Sequence, residues 1–195
     1  MVENHVIKSI FLNYHSISDE LCEELSKVSN LVKFKKNEKI YKAGCVVDSV
    51  SIIRYGLVRS YIVSDEKEMT IWFGEVGDFI TSFYSFFTGK EGIETIDCIE
   101  DTTVLRINSS DFKKLIKENN EMLLLYSIIL EKGYIYWEQR YAINQIYESE
   151  QRYSMFYERS KEMVLKIPLK ILSSYLNIRQ ETLSRIRRNW LKSNE

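Results

Sequence analysis

The chain has 195 residues, 45% hydrophobic and 28% charged, which is enough apolar material for one large core or two small ones and excludes wholesale disorder. Its net charge of -1 hides a division: eight Lys and Arg face three Asp and Glu from Lys161 onward, against nineteen and twenty-five before it, which points to an acidic body carrying a basic module suited to a polyanion. Cys22, Cys45 and Cys98 are odd in number and far apart, which argues against a disulfide scaffold or a Cys-x-x-Cys metal site, and the longest apolar run, residues 122–130, is half of the roughly 20 residues that span a bilayer.

Apolar residues recur at Ile17, Leu21, Leu25 and Val28 with helical spacing, and Ser18 is placed to cap that helix ahead of an acidic first turn. From about residue 31 to 107 the period changes to two. Segments such as "LVRSYIV" (57–63), "MTIWF" (69–73) and "TVLRI" (103–107) alternate between Gly44, Gly56, Gly74, Gly77, Gly89 and Gly92, the pattern of an antiparallel sandwich or roll. The aromatic group Phe79, Phe83, Tyr84, Phe86 and Phe87 is either core of that roll or the lining of an apolar effector pocket.

After Ser109 or Ser110, either of which can cap a helix, residues 111–147 read as helical. Leu115, Met122, Ile129, Tyr136 and Ile143 recur every seven positions, with Leu125 and Ile146 on the same side. The stripe through Met122, Leu125, Ile129, Tyr136 and Ile143 reads as a coiled-coil dimer seam, the alternative being packing against the sheet. Lys132 and Gln139 interrupt its second row and Gly133 weakens its middle. A further helix is expected over 148–159, with a domain boundary near Asn144.

The only proline, Pro168, opens "IPLKILSSYLNIRQETLSRIRRNW", and proline is well tolerated at a helix start. Leu169, Leu172 and Leu176 fall on one side of a short helix. Asn177 follows where the chain must turn, a position that favours residues able to adopt a left-handed conformation. Ile178 returns inward, and a second helix begins near Arg179 or Gln180, making a helix-turn-helix. On that second helix Leu183, Ile186 and Trp190 cluster on one side, while Glu181, Ser184, Arg185 and Arg188 gather on the other. The outward face thus carries groups matched to base edges: arginine to guanine, glutamate to cytosine, glutamine at Gln180 to adenine, serine to either. Arg179, Thr182, Arg187, Arg188 and, from the first helix, Lys170 are placed to hold phosphates, which fix register without reading sequence.

With those pieces in place, the chain resembles the Crp/Fnr superfamily of bacterial transcription regulators over nearly its full length. "SYLNIRQETLSRIRR" is the most specific segment, with Glu181, Ser184 and Arg185 matching the E-x-x-S-R pattern of the Fnr-like branch. The resemblance implies an α+β fold: an N-terminal antiparallel β-roll of cyclic-nucleotide-binding type over residues 1–110, a long dimerisation helix over 111–146, and a C-terminal winged helix-turn-helix over 147–195. It also implies a homodimer on a near-palindromic operator in double-stranded DNA, with RNA polymerase as a further partner. Arg185 becomes the guanine reader, Glu181 the partner of a cytosine, and Ser184 tunes the neighbouring base. The chain departs from the pattern in three places. Arg179 stands where many relatives carry a serine or threonine cap, only five residues follow Trp190 to build a wing, and the phosphate cassette is altered. Gly77 and Phe79 survive there, but Thr81 and Ser82 replace its Gly-Glu, and the segment from Gly92 to Thr95 has no arginine. A buried phosphodiester would lack its counter-charge, so cyclic-AMP binding is expected to be weak or absent. Phe79, Thr81, Ser82, Phe83 and Thr95 remain the candidate effector pocket, for an effector the residues do not name.

No nucleophile elbow, zinc-protease helix or phosphate loop is present, and no histidine follows His15, so neither a catalytic residue nor a metal site is expected. No cofactor is expected either. His5 and His15 are expected to face solvent. The residues imply a cytoplasmic protein without membrane attachment. The competing reading is a metabolite- or partner-sensing roll whose basic C-terminus docks a protein rather than DNA.

Overall fold

The computed structural model describes residues 2–12 and 14–193, with side chains as far as Trp190. Two helices open it, α1 (Asn4–Phe11) and α2 (Asp19–Val28). Only the second was legible from spacing, and Ser18 caps it as expected, its hydroxyl accepting from the Leu21 amide at 3.1 Å. Eight strands follow: β1 (Ser29–Phe34), β2 (Lys39–Tyr41), β3 (Ser49–Tyr55), β4 (Val58–Ser64), β5 (Lys67–Gly74), β6 (Phe79–Ile80), β7 (Glu94–Cys98) and β8 (Thr102–Asn108), with a short helix α3 (Phe83–Thr88) before β7. They form two antiparallel four-stranded sheets, ordered β1-β8-β3-β6 and β2-β7-β4-β5.

Alternation along β3 explains the layering. Val50 and Ile52 face the helices, while Ile53 joins Val58, Ile80, Ile96 and Val104 in the interior between the sheets. The turn from β4 to β5 passes through Asp65 and Glu66, both at positive φ (49° and 63°), the conformation a two-residue hairpin needs. At the β3–β4 turn Gly56 has φ 106°, and an added Cβ would lie 2.7 Å from the Thr102 Cα. No side chain fits there.

The helical half contains α4 (Ser109–Glu118), α5 (Asn120–Ile146), α6 (Ser149–Arg159), α7 (Lys161–Lys166), α8 (Leu169–Leu176) and α9 (Gln180–Ser193). The expected continuous helix over 111–147 is broken at Asn119. Its side chain accepts from the Met122 amide at 3.0 Å and donates to Glu24 at 2.8 Å, capping α5 while tying it to α2.

The heptad stripe is a correction. Met122, Leu125 and Ile129 are buried in one cluster with Ile7, Phe11, Leu21, Leu25, Ile52, Leu105 and Phe112 of the same chain, so they pack on the roll and its N-terminal helices and are closed to a partner. Tyr136 faces inward too, with its hydroxyl 3.2 Å from that of Tyr175, and Ile143 is half-buried. The opposite face of α5 is the exposed one, where Leu123, Leu124, Tyr134, Ile135, Tyr141 and Ile146 are each at least 49% exposed. A seven-residue repeat identifies an apolar stripe; it does not say whether the same chain or another covers it.

A second core joins the halves. Leu57, Phe73 and Ile99 of the roll pack with Tyr153, Val164, Leu172, Leu176, Leu183 and Ile186 of the helices. No strand lies between α6 and α9 among the described residues. Cys22 and Cys98 are buried and Cys45 exposed, all three without a disulfide, and His5 and His15 are exposed.

Candidate nucleic-acid interface

The interface is built by α8 and α9. Leu172 and Leu176 bury one side of α8, and Pro168 immediately precedes it. Its end is a left-handed cap. Asn177 has φ 51° and ψ 50°, and the amides of Asn177 and Ile178 donate to the carbonyls of Ser174 and Ser173 at 3.2 and 3.0 Å. The turn reverses the chain within two residues and starts α9 at Gln180. The first carbonyl of the new helix is that of Arg179, which accepts from Leu183 at 3.0 Å. An arginine side chain has no acceptor, so it cannot supply the side-chain cap that serine or threonine would give.

Burial divides α9 as its periodicity requires. Leu183 and Ile186 are in the core, and Trp190 packs edge-on against Tyr153 with ring centroids 6.1 Å apart. Gln180, Glu181, Arg185 and Arg188 are exposed, and Ser184 is half-buried beside them. The four base-reading candidates therefore share one outward strip.

The phosphate candidates are less uniform. Arg179, Arg188 and Lys170 are exposed and Thr182 half-buried, whereas Arg187 is half-buried and hydrogen-bonds the Tyr153 hydroxyl, which places it beneath the strip.

The roll holds α8 directly. The Ser174 hydroxyl accepts from the Thr70 amide at 2.8 Å and donates to the Glu68 carbonyl at 3.0 Å, so α8 satisfies the free edge of β5. Arg140 of α5 stacks 3.7 Å over the Tyr175 ring and donates to the carbonyls of Ile71 and Tyr175 at 2.8 and 2.7 Å. Burial and the neighbouring Tyr175 hydroxyl push the Tyr136 phenol well above its ordinary value, so it stays protonated in that contact, where either hydroxyl can donate. Sequence reasoning missed this latch. Ser174 and Arg140 carry no one-dimensional signal, because their partners lie about 100 and 35 to 69 positions away.

The five effector-pocket candidates separate. Thr81, Ser82 and Thr95 are buried inside the roll. The Thr81 hydroxyl donates to the Ser49 carbonyl at 3.2 Å, and that of Thr95 accepts from the Ala43 amide at 3.2 Å. The Ser82 hydroxyl has no partner, and Gly92 lies so close that an added Cβ would stand 2.5 Å from it. Phe79 and Phe83 instead face a cleft of about 420 Å³ bounded by β5, α5, α6 and α8. No cluster of three or more metal-ligating side chains occurs among the described residues, and no described helix is long and apolar enough to cross a membrane.

Residues 31–119 match the family described as cyclic nucleotide-binding domain. The chain is 26% identical to the anaerobic regulatory protein of Aggregatibacter actinomycetemcomitans over 188 residues, spanning 84% of this chain and 69% of that protein, and 25% identical to the protein of the same description from Haemophilus influenzae. Among solved structures, FixK2 from Bradyrhizobium japonicum superposes with a TM-score of 0.75 at 19% identity, covering 86% of both chains. A transcriptional regulator of the Crp/Fnr family from Eubacterium rectale superposes at 0.72 and 17%, covering 93% of this chain and 88% of that one. At those identities the structural likeness establishes the fold.

Proposed function

We propose that this chain, which belongs to the Crp/Fnr superfamily of transcription regulators, is a twofold dimer that reads a near-palindromic operator with α9. The observation that carries the reading is the division of α9: Leu183 and Ile186 anchor it to the core, while Gln180, Glu181, Ser184 and Arg185 line its outward strip. Set in a major groove, Arg185 grips guanine O6 and N7 and Glu181 accepts from cytosine N4, with Arg179, Arg188 and Lys170 on the flanking phosphates. The dimer forms through the exposed face of α5, where Leu124, Tyr134, Ile135 and Tyr141 leave apolar surface uncovered. RNA polymerase is the further partner.

Cyclic AMP is not the effector in this reading. The segment 91–95 supplies no cation for a phosphate, and Thr81 and Thr95 are engaged in local hydrogen bonds. Titration calorimetry with cyclic AMP is expected to show no saturable heat.

The competing reading, a basic C-terminus that docks a protein, is separated by salt. Binding to duplex DNA releases counterions, so affinity falls steeply as salt rises, with a slope of about -0.9 per phosphate contacted. Fluorescence anisotropy on labelled duplex at several salt concentrations measures it. A flat response, or no binding at low salt, would overturn the DNA reading.

A further inference from the structure

The cleft that takes Phe79 and Phe83 differs from the roll's interior. It lies between β5, α5, α6 and α8, and neither Thr81, Ser82 nor Thr95 lines it. At about 420 Å³ it is in the range of sites for small organic molecules. Its walls are flat and aromatic: Phe79 and Phe83 from the roll, Tyr136 and Trp137 from α5, Phe156 from α6 and Tyr175 from α8. Charged groups of both signs line it, Glu75, Asp78 and Glu94 against Lys132 and Arg159. Asp78 is largely desolvated and already accepts from the Glu75 amide at 2.8 Å. The Arg159 guanidinium stands 5.3 Å from the Tyr136 ring centroid, exposed, with no carboxylate within 4.0 Å among the described residues.

A separate observation concerns Gly133, in the middle of α5 and on the wall of the cleft. After proline, glycine is the poorest helix former, and an interior helical glycine normally answers to a crowded neighbour or a positive φ. Neither applies: an added Cβ would meet nothing within 4 Å, and the backbone there is not left-handed. Nothing in the chain itself needs the space that Gly133 leaves.

We propose that this cleft binds a small aromatic acid carrying a hydrogen-bond donor. Its ring is held among the aromatic walls and its anionic group meets Arg159 at the mouth. Its donor reaches the Asp78 carboxyl, and the room beside Gly133 accommodates its body. Because Tyr136 and Tyr175 also form a hydroxyl contact between α5 and α8, an occupied cleft fixes the recognition module against α5. That consequence rests on the DNA-binding reading; the binding itself does not.

The test uses the full chain and two dyes that share an aromatic amine and differ in charge, 8-anilinonaphthalene-1-sulfonate and the neutral N-phenyl-1-naphthylamine. The sulfonate is expected to bind saturably, and Gly133→Leu, whose Cβ meets nothing within 4 Å and whose side chain extends into the cleft, to weaken it by about tenfold or more. Arg159→Ala should weaken the sulfonate by a similar factor and leave the neutral dye nearly unaffected, and Arg159→Lys should restore part of the loss. Sulfonate binding that survives Gly133→Leu would place the dye on the exposed face of α5 and overturn the proposal. Equal losses of both dyes in Arg159→Ala would remove the anion site and overturn it as well. So would a Gly133→Leu chain that sediments as a monomer while still binding dye, since the space would then belong to a second copy. Should Gly133→Leu fail to fold by circular dichroism, the exposed Arg159 variants decide. No DNA is present, so failure here is distinct from failure of the salt test.

Discussion

On the proposed DNA-binding reading, individual side chains divide the outward strip of α9 into two roles. Arg185→Ala should cost about 1–3 kcal/mol on the cognate duplex and relax discrimination at one base pair, because a bidentate contact to guanine is lost. Arg188→Ala should weaken cognate and scrambled duplexes alike and flatten the salt dependence by about one phosphate. Competition assays with single-base operator variants distinguish the two, and equal losses on cognate and scrambled DNA for Arg185→Ala would remove it as a reader. A different residue-level effect concerns Asp78. Burial, opposed by the Glu75 amide, raises its carboxyl from 3.8 to about 6; the Glu75 carboxylate adds to the rise and Arg159 and Lys132 subtract from it. The folded protein therefore binds a proton in that window that the unfolded chain has released. This contribution to stability is present in full below 3.8 and is lost as pH rises through about 6. Asp78→Asn keeps an acceptor for the Glu75 amide and should flatten the decline in denaturation midpoint between those pH values; superimposable profiles would count against the raised carboxyl. Neither Asp78 nor Arg159 stood out in the sequence, because desolvation and cleft geometry have no local signature.

Secondary-structure elements show where local chemistry suffices. Ser18 and Asn177 were identifiable as cap and turn because each acts within five residues of itself, and the structure places both in those roles. Asn119 acts locally as well, but a helix-compatible sequence on both sides concealed the break. Asn119→Ala should lower stability by about 1 kcal/mol for the lost cap, with a further loss for the Glu24 contact, measured by urea denaturation. No change would mean that α4 and α5 fuse without strain. The strands were legible from alternation and glycine turns. The additional helix α1 was not, since residues 4–11 carry no capping side chain and no flanking turn signal.

At the scale of the whole molecule the decisive feature is α5, apolar on both sides. One side is filled by the chain's own roll and N-terminal helices; the other is open. Leu124→Glu with Ile135→Glu should therefore yield folded monomers in sedimentation, whereas Ile129→Glu should unfold the chain, because it buries a charge in a core that offers no partner. Folded monomers from Ile129→Glu would return the seam to the buried stripe. The shared core between roll and helices, with Arg140 and Ser174 as its polar ties, fixes α8 and α9 against the roll.

The sequence by itself determined the period of each segment, the turn at Asn177, the polar strip of α9 and the loss of the phosphate-binding cation. Each depends on residues a few positions apart or on the identity of a single side chain. Only the tertiary structure decided which face of α5 is covered, how α8 is held by an edge strand, and that Phe79, in the core shared with the helices, and Phe83, packed against it, also border a cleft. Those outcomes depend on surfaces brought together from distant parts of the chain, and burial is shared between both partners of a contact, so neither partner's sequence specifies it alone.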